Sequence, residues 1–261
     1  MNHLNSSIEV LGTRLDLVQI PEVIEIMESW ISHRSIGNYI VTTNANTIVL
    51  SKKDPKIKEA VNKGNLSVPD GISLVLLSKL YGKPLRRRVY GPDLMLKFLK
   101  NAEGKGYSNF FYGSTELTLK ALVKNLKKRF PSLNIAGIYS PPFSDTMEED
   151  EKAAKIINEV SPDVLWVGLG CPKQQLWMYK NKDKMKVPVM VGIGAAFDFL
   201  AQTKSQAPRW IRDNGFEWIF RLITEPKRLW RRYLINNSLF VFYVTLELIS
   251  NAFTFNKNKP N

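Results

Sequence analysis

Tyr39-Ile40-Val41-Thr42-Thr43-Asn44 is a short apolar run that ends in polar side chains, and this pattern sets the class of fold. Its apolar half is typical of a buried strand. Four similar runs follow at 109–112, 135–138, 164–167 and 187–191, and amphipathic stretches alternate with them at 21–33, 92–103, 116–130, 148–160 and 173–182. Such alternation indicates a mainly parallel sheet covered by helices. The sequence therefore predicts an α/β, Rossmann-like fold.

Polar clusters follow several of these runs, and ligands of open α/β sheets bind beyond the carboxyl ends of the strands. One cluster is Val68-Pro69-Asp70-Gly71, where an acid lies between proline and glycine on a rigid turn. Two interpretations of Asp70 stay open. It either caps a helix that starts at Ile72, or it faces Thr42, Asn44 and one of the arginines 86–88 in a polar substrate site.

The composition is that of a globular protein with an anionic partner. The chain has 261 residues, of which 44% are hydrophobic, and a net charge of +13. That charge indicates nucleic acid, a phosphorylated substrate or an acidic membrane surface as the partner. A single cysteine, Cys171, excludes an internal disulfide framework, and no signal-peptide pattern opens the sequence. We expect a cytoplasmic protein.

The composition changes near Lys204, which predicts an α/β core over residues 1–203 and a basic helical appendage over 204–261. The appendage has ten lysines and arginines against four acids, and an apolar run from Leu239 to Phe255 that Glu247 interrupts. A membrane-spanning helix needs about 20 predominantly apolar residues. We therefore expect an amphipathic helix in the membrane interface, and packing on the core or on another subunit stays open as the alternative.

Two Gly-x-Gly pairs follow predicted strands, at Gly168-Leu169-Gly170 and Gly192-Ile193-Gly194. Lys173 and Phe197 stand where a dinucleotide fingerprint needs its third glycine, so no redox cofactor is expected. Glycines at strand ends still let backbone amides approach a phosphate or a sugar. Gln174, which opens the next helix, is a candidate to hydrogen-bond a uracil or a sugar hydroxyl.

No metal site is expected, because both histidines, His3 and His33, lie near the N-terminus and no Asp-x-Asp is present. A diphosphate would then be neutralised by arginines. The basic charge and interleaved aromatic residues also suggest a nucleic-acid-binding protein. The chain lacks the sequence patterns of the common nucleic-acid-binding modules, so we do not expect a nucleic-acid partner.

Taken together, these segments resemble the WecG/TagA/CpsF family of bacterial glycosyltransferases, glycosyltransferase family 26, over residues 10–233. The segments that carry the resemblance are Thr42-Thr43-Asn44-Ala45-Asn46, Pro69-Asp70-Gly71, Arg88-Val89-Tyr90-Gly91-Pro92-Asp93, Gly168-Leu169-Gly170-Cys171-Pro172-Lys173-Gln174, Gly192-Ile193-Gly194-Ala195-Ala196-Phe197-Asp198, Ala207-Pro208-Arg209-Trp210, Gly215-Phe216-Glu217-Trp218-Ile219-Phe220-Arg221-Leu222 and Glu225-Pro226-Lys227-Arg228-Leu229-Trp230-Arg231-Arg232-Tyr233. Gln175 departs from the pattern, since the family often has glutamate there.

The resemblance implies an inverting, metal-independent transferase without a cofactor. Its donor would be a UDP-sugar, most often of N-acetylmannosamine or its uronic acid. Its acceptor would be N-acetylglucosamine linked to undecaprenyl diphosphate at the inner face of the cell membrane, in cell-surface polysaccharide or teichoic acid synthesis. A UDP-glucose or UDP-galactose transferase for capsule or exopolysaccharide intermediates stays open as an alternative, and so does a homo-oligomer.

The resemblance also implies residue roles. Asp70 is the general base that deprotonates the acceptor hydroxyl, Thr42 and Asn44 are the polar pair beside it, and Arg88 is an active-site arginine. The expected substrate-binding residues are Gln174, Gly168, Gly170, Gly192 and Gly194 in the core and Arg209, Arg221, Arg228 and Arg231 in the appendage.

Overall fold

Six parallel strands form the centre of the protein in the computed structural model, which describes residues 6–142 and 146–257. The described residues form eight strands in all: β1 (Ser7–Val10), β2 (Thr13–Asp16), β3 (Asn38–Thr43), β4 (Leu66–Pro69), β5 (Asn109–Gly113), β6 (Ile135–Tyr139), β7 (Val164–Gly168) and β8 (Val189–Gly192). The sheet has the order β4-β3-β8-β7-β5-β6, and β1 and β2 form a separate antiparallel hairpin. The predicted α/β fold is confirmed.

Helices cover both faces of the sheet and continue into the C-terminal part. They are α1 (Ile20–Ser32), α2 (Ala45–Lys53), α3 (Pro55–Asn62), α4 (Ile72–Leu80), α5 (Gly91–Lys105), α6 (Glu116–Arg129), α7 (Met147–Val160), α8 (Lys173–Asn181), α9 (Ala196–Leu200), α10 (Arg209–Asp213), α11 (Glu217–Thr224), α12 (Pro226–Trp230) and α13 (Asn237–Lys257). A π-helical segment, Arg231–Asn236, joins α12 to α13.

Alternate side chains of each strand enter opposite cores, as the two-residue repeat of a strand requires. In β3, Ile40 packs in the cluster beneath α1, α5 and α6, whereas Tyr39 and Val41 pack in the cluster beneath α3, α7 and α8. Strands buried on both faces are characteristic of a parallel sheet. This explains why the runs are apolar without alternation.

The register brings the carboxyl ends of the central strands to one edge of the sheet. Thr43 at the end of β3 pairs with Pro69 at the end of β4, and Val41 pairs with Gly192 at the end of β8. Gly113 and Gly168 pair at the ends of β5 and β7. The loops that follow these strands therefore meet above the same edge.

Helix α13 packs one of its faces on the core. Phe240 and Val244 are buried in a third apolar cluster, which includes residues of the β1–β2 hairpin, α2 and α4. The side chain of Glu247 also faces this way, because its carboxylate accepts hydrogen bonds from Leu11 N (3.0 Å) and from Tyr81 Oη (2.6 Å). The alternative of a helix packed on the core is thus confirmed for this face.

The opposite face of α13 is exposed and apolar. Val241, Phe242, Leu246 and Ile249 are each about half exposed or more. Among the described residues, one helix, Pro226–Asn251, is long and apolar enough to cross a membrane, a test that packed helices of soluble proteins also pass. Location in the membrane interface and the division at residue 204 stay predictions, and the side chain of Phe255 lies outside the described part.

Candidate active site

A cavity of about 610 Å³ lies above the carboxyl ends of the strands, between the core and the C-terminal helices. Its wall combines residues from the loops after β3, β4, β5, β7 and β8 with residues from α11, α12, the π-helical segment and α13. Ten of the predicted site residues line it: Thr42, Asn44, Asp70, Arg88, Gly168, Gly170, Gln174, Gly194, Arg221 and Arg228. The chain thus brings most of the expected site together.

Asp70 follows β4 and is fixed by its backbone and by one carboxylate oxygen. Its N–H donates to Thr43 O (2.8 Å), and its Oδ1 accepts from Gly91 N (3.1 Å) at the start of α5. Helix α4 instead has Gly71 at its N-cap, without a side-chain cap. The interpretation of Asp70 as a cap for the helix from Ile72 is therefore wrong. Asp70 Oδ2 accepts no hydrogen bond from any residue that the structure describes.

The surroundings of Asp70 raise its pKa above that of an ordinary aspartate. Burial is the main cause, because it disfavours the charged carboxylate, and the nearby charge of Glu217 acts in the same direction. The charge of Arg88 and the hydrogen bond from Gly91 oppose this effect without cancelling it. A carboxylate whose pKa lies closer to working pH is a better proton acceptor.

Arg88 holds Glu217 rather than pointing freely into the cavity. Its Nη2 donates to Glu217 Oε2 (2.7 Å), and Tyr90 Oη donates to Glu217 Oε1 (3.0 Å). The Arg88 guanidinium also lies 4.3 Å from the centre of the Tyr90 ring. We call these three residues the Glu217 clasp. It joins the first residue of α11 to the loop before α5, directly beside Asp70.

Thr42, Asn44 and Gln174 each use a side-chain oxygen to fix the strand-end loops. Thr42 Oγ1 donates to Gly192 O (2.7 Å), and Asn44 Oδ1 accepts from Thr47 N (3.2 Å) and so caps α2. Gln174 Oε1 accepts from the N–H groups of Gly170 (3.2 Å) and Gly194 (3.0 Å). The amide nitrogens of Asn44 and Gln174 make no hydrogen bond in the described part of the chain, so they remain donors for a ligand.

The glycines meet two different needs. Gly170 and Gly194 have φ values of +81° and +52°, in the left-handed region that favours glycine. A side chain on Gly168 would lie 2.3 Å from the Phe197 ring, so this position needs glycine for space. Gly192 is outside the cavity wall and takes part through its carbonyl oxygen, which accepts from Thr42.

The predicted arginines of the appendage separate into two groups. Arg221 and Arg228 line the cavity, where Arg228 forms two hydrogen bonds with Glu225 (2.6 and 2.7 Å). Arg209 and Arg231 are exposed and lie outside the cavity wall. Arg209 pairs with Asp213 at 3.4 Å, and the Arg231 guanidinium lies 5.2 Å from the Trp230 ring.

Arg232 is a cavity residue to which the sequence assigned no role of its own. It lines the cavity, and its Nε is buried without a hydrogen-bond partner among the residues described. Burial dominates the raised pKa of Asp70, but the charge of Arg232 opposes it, so the two groups act on each other. Arg221 Nε is likewise buried and unpartnered. The appendage thus presents two incompletely satisfied cations to the cavity.

Other cavity residues received no role from the sequence, although Glu217 belongs to a segment that carries the resemblance. Ser114, after β5, has a φ of +56°, which is unusual for a residue with a side chain. Within the described ranges, no group of three or more histidine, cysteine, aspartate or glutamate residues is arranged to hold a metal ion.

A parallel α/β sheet with a carboxylate and several arginines around one cavity at its carboxyl edge defines an enzyme for anionic small-molecule substrates. The chain belongs to the Glycosyl transferase WecG/TagA/CpsF family, which it matches over residues 8–253. The predicted family is confirmed, and the protein is a glycosyltransferase.

Two relatives illustrate the similarity. The chain is 32% identical over 224 residues to the N-acetylglucosaminyldiphosphoundecaprenol N-acetyl-beta-D-mannosaminyltransferase of Bacillus spizizenii, with 85% of each chain covered. It is 29% identical over 227 residues to a Staphylococcus aureus protein of the same name, with 87% of this chain and 88% of the relative covered.

Proposed function

We propose that the protein transfers N-acetylmannosamine from UDP-N-acetylmannosamine to N-acetylglucosamine carried on undecaprenyl diphosphate. The observation that carries the proposal is Asp70, a carboxylate of raised pKa with Oδ2 unpartnered in a cavity that also holds Arg221, Arg228 and Arg232. The names of both relatives support the same acceptor and the same transferred sugar.

Asp70 is the general base of the proposed reaction. Its Oδ2 takes the proton of the acceptor hydroxyl as that oxygen attacks the anomeric carbon of the donor sugar. The bond from this carbon to the diphosphate oxygen breaks, its electron pair leaves with UDP, and the configuration inverts. Positioned proton abstraction contributes on the order of 10²–10⁴-fold to such rates.

The arginines stabilise the charge that develops on the leaving UDP. Arg221 and Arg232 are available for this, since both line the cavity and neither forms an ion pair with a carboxylate of the described residues. Donors already in place where negative charge develops are among the strongest contributors to catalysis. Arg88 has a positioning role instead, because Glu217 occupies its guanidinium at 2.7 Å.

The proposed acceptor also explains the surface of the appendage. An undecaprenyl chain lies in the bilayer, so the enzyme has to work at its surface. The exposed apolar face of α13 and the net charge of +13 suit a peripheral position on an anionic membrane, which we place at the inner face of the cell membrane. We expect the protein to sediment with anionic vesicles and to be released by salt.

A donor panel tests the proposed function. UDP-linked N-acetylmannosamine, its uronic acid, glucose and galactose are each incubated with a short-chain polyprenyl-diphosphate-N-acetylglucosamine, and UDP release is measured. We expect release with UDP-N-acetylmannosamine and a β-linked product by NMR. Release with UDP-glucose or UDP-galactose alone would overturn the assigned sugar. If no donor reacts above the rate of the Asp70→Asn variant, the transferase proposal is wrong.

A further inference from the structure

We propose that the isoprenoid chain of the acceptor leaves the cavity along an apolar groove between α4 and α13. This inference rests on the proposed function, since it concerns the apolar tail of the same acceptor. None of the sequence motifs assigns a role to this groove.

Side chains of α4 and α13 come together at two places. Leu74 and Leu77 of α4 belong to the same apolar cluster as Phe240 and Val244 of α13. Farther along, Tyr81 Oη, directly after α4, donates to Glu247 Oε2 of α13 at 2.6 Å. The space between the two helices is therefore bordered by side chains of both.

The groove opens from the cavity itself. Leu76 of α4 and Val241 of α13 both line the cavity, yet they are 57% and 63% exposed. One turn beyond Leu76, Leu80 is 69% exposed, and two turns beyond Val241, Leu248 is half-buried. Seven residues of α-helix span about 10 Å, which sets the length of this apolar edge. These side chains have no apolar cover on their outer side in the part of the chain described.

The chemistry of the two ends selects the occupant. The cavity wall contains Asp70 and four arginines, whereas its part along α4 and α13 is formed by Ile72, Leu76, Phe240 and Val241. A ligand that fits both ends has a diphosphate-linked polar head and a hydrocarbon tail. Glu247, the only acid between residues 226 and 251, has its carboxylate held by two neutral donors, Leu11 N and Tyr81 Oη.

Acceptors of different chain length test the groove without any membrane. Diphosphate-linked N-acetylglucosamine with one, two or three isoprene units is soluble enough to assay without detergent or vesicles. We expect KM to fall by about tenfold from one unit to three, because each added unit buries apolar surface. In the Leu80→Ser variant, the ratio of the KM values for the one-unit and three-unit acceptors should move towards one.

Leu246→Ser is the matched control, because Leu246 is an exposed leucine of α13 that lies towards α2, near Lys52 and Lys58. It should keep the wild-type ratio. Equal KM values for all three acceptors at normal turnover would overturn the groove alone, and so would an equal loss in Leu80→Ser and Leu246→Ser. No UDP release with any acceptor would overturn the proposed function, and the ligand of the groove with it.

Discussion

The two walls of the cavity are built in opposite ways. On the core wall, the side-chain oxygens of Thr42, Asn44 and Gln174 are bound within 2.7–3.2 Å to loop and strand-end backbone. On the appendage wall, Arg221 and Arg232 keep buried Nε atoms without partners in the described chain.

The two walls therefore have different roles: the side-chain oxygens of the core wall fix the shape of the cavity, and the arginines of the appendage wall supply charge. The core wall is fully hydrogen-bonded through these oxygens, so its motif residues mainly hold the loops in place. Arg221 and Arg232 of the appendage wall form no ion pair with a carboxylate of the described residues, so this wall keeps positive charge for an anionic partner. Asp70 and the cavity arginines therefore carry the reaction in our proposal.

The largest effect should come from Asp70, whose Oδ2 accepts no hydrogen bond from the residues that the structure describes. Asp70→Asn keeps the hydrogen bond from Gly91 N, but an amide cannot accept the proton. We expect kcat to fall by about 10²–10⁴-fold with UDP binding retained, as measured by UDP release and by calorimetry. Near-normal kcat would remove Asp70 from the mechanism.

The next effect distinguishes adjacent arginines on the appendage wall. Arg232→Ala removes a cation from the cavity and should lower kcat/KM by about 10²-fold, the usual cost of one preorganised donor. Arg231→Ala, one residue earlier, removes an exposed cation and should change kcat/KM by less than about threefold. Equal losses in both variants would contradict the structure, in which Arg232 lines the cavity and Arg231 is exposed outside it.

The Glu217 clasp connects the two walls, so it should affect stability. Glu217→Gln weakens hydrogen bonds from Arg88 and Tyr90 and should lower the free energy of unfolding by about 2 kcal/mol. The exposed pair Arg209–Asp213 provides the control, since Asp213→Asn should cost less than about 0.5 kcal/mol. Urea denaturation of both variants measures the difference. If the Glu217 clasp contributes nothing to stability, the urea denaturation curves of the Glu217→Gln and Asp213→Asn variants will coincide.

The smallest effect concerns the stability of the Asp70→Asn variant. The pKa of Asp70 is raised above 3.8 in the folded protein, so the folded state binds the proton more tightly than the unfolded state. Wild-type stability therefore falls as pH rises from 3.8 through the raised pKa, and the uncharged amide of the variant avoids this loss. We expect the variant to gain stability relative to wild type across that window, by thermal denaturation at several pH values. If the stability difference between the variant and wild type does not change with pH, burial does not raise the pKa of Asp70.

Most of the fold could be predicted because its strands are apolar and its helices amphipathic. The strand Leu66–Pro69 escaped detection, since four residues that end in a Pro-Asp-Gly turn look like part of a loop. The hairpin Ser7–Asp16 has the same problem, because its strands are also four residues long. Short strands are defined by their partners rather than by their own pattern.

The site was less predictable where distant segments meet. Asp70 accepts a hydrogen bond from Gly91 at the start of α5 instead of capping α4, the helix that directly follows it. This contact depends on how the chain between β4 and α5 folds back to Asp70. Arg231 is expected at the site from the family resemblance, which gives no side-chain direction. The structure places its neighbour Arg232 in the cavity wall, at the start of the π-helical segment Arg231–Asn236.

The burial of Phe240 and Val244 limits how substrates can enter. Detaching α13 would expose both side chains, at about 1.5–3 kcal/mol each, and would also break the contacts of Glu247 with Leu11 and Tyr81. A detached state would then be populated well below about 1%. The docked helix is therefore the dominant state of the free enzyme, and the mouth of the cavity in this state is the entry that it offers to both substrates.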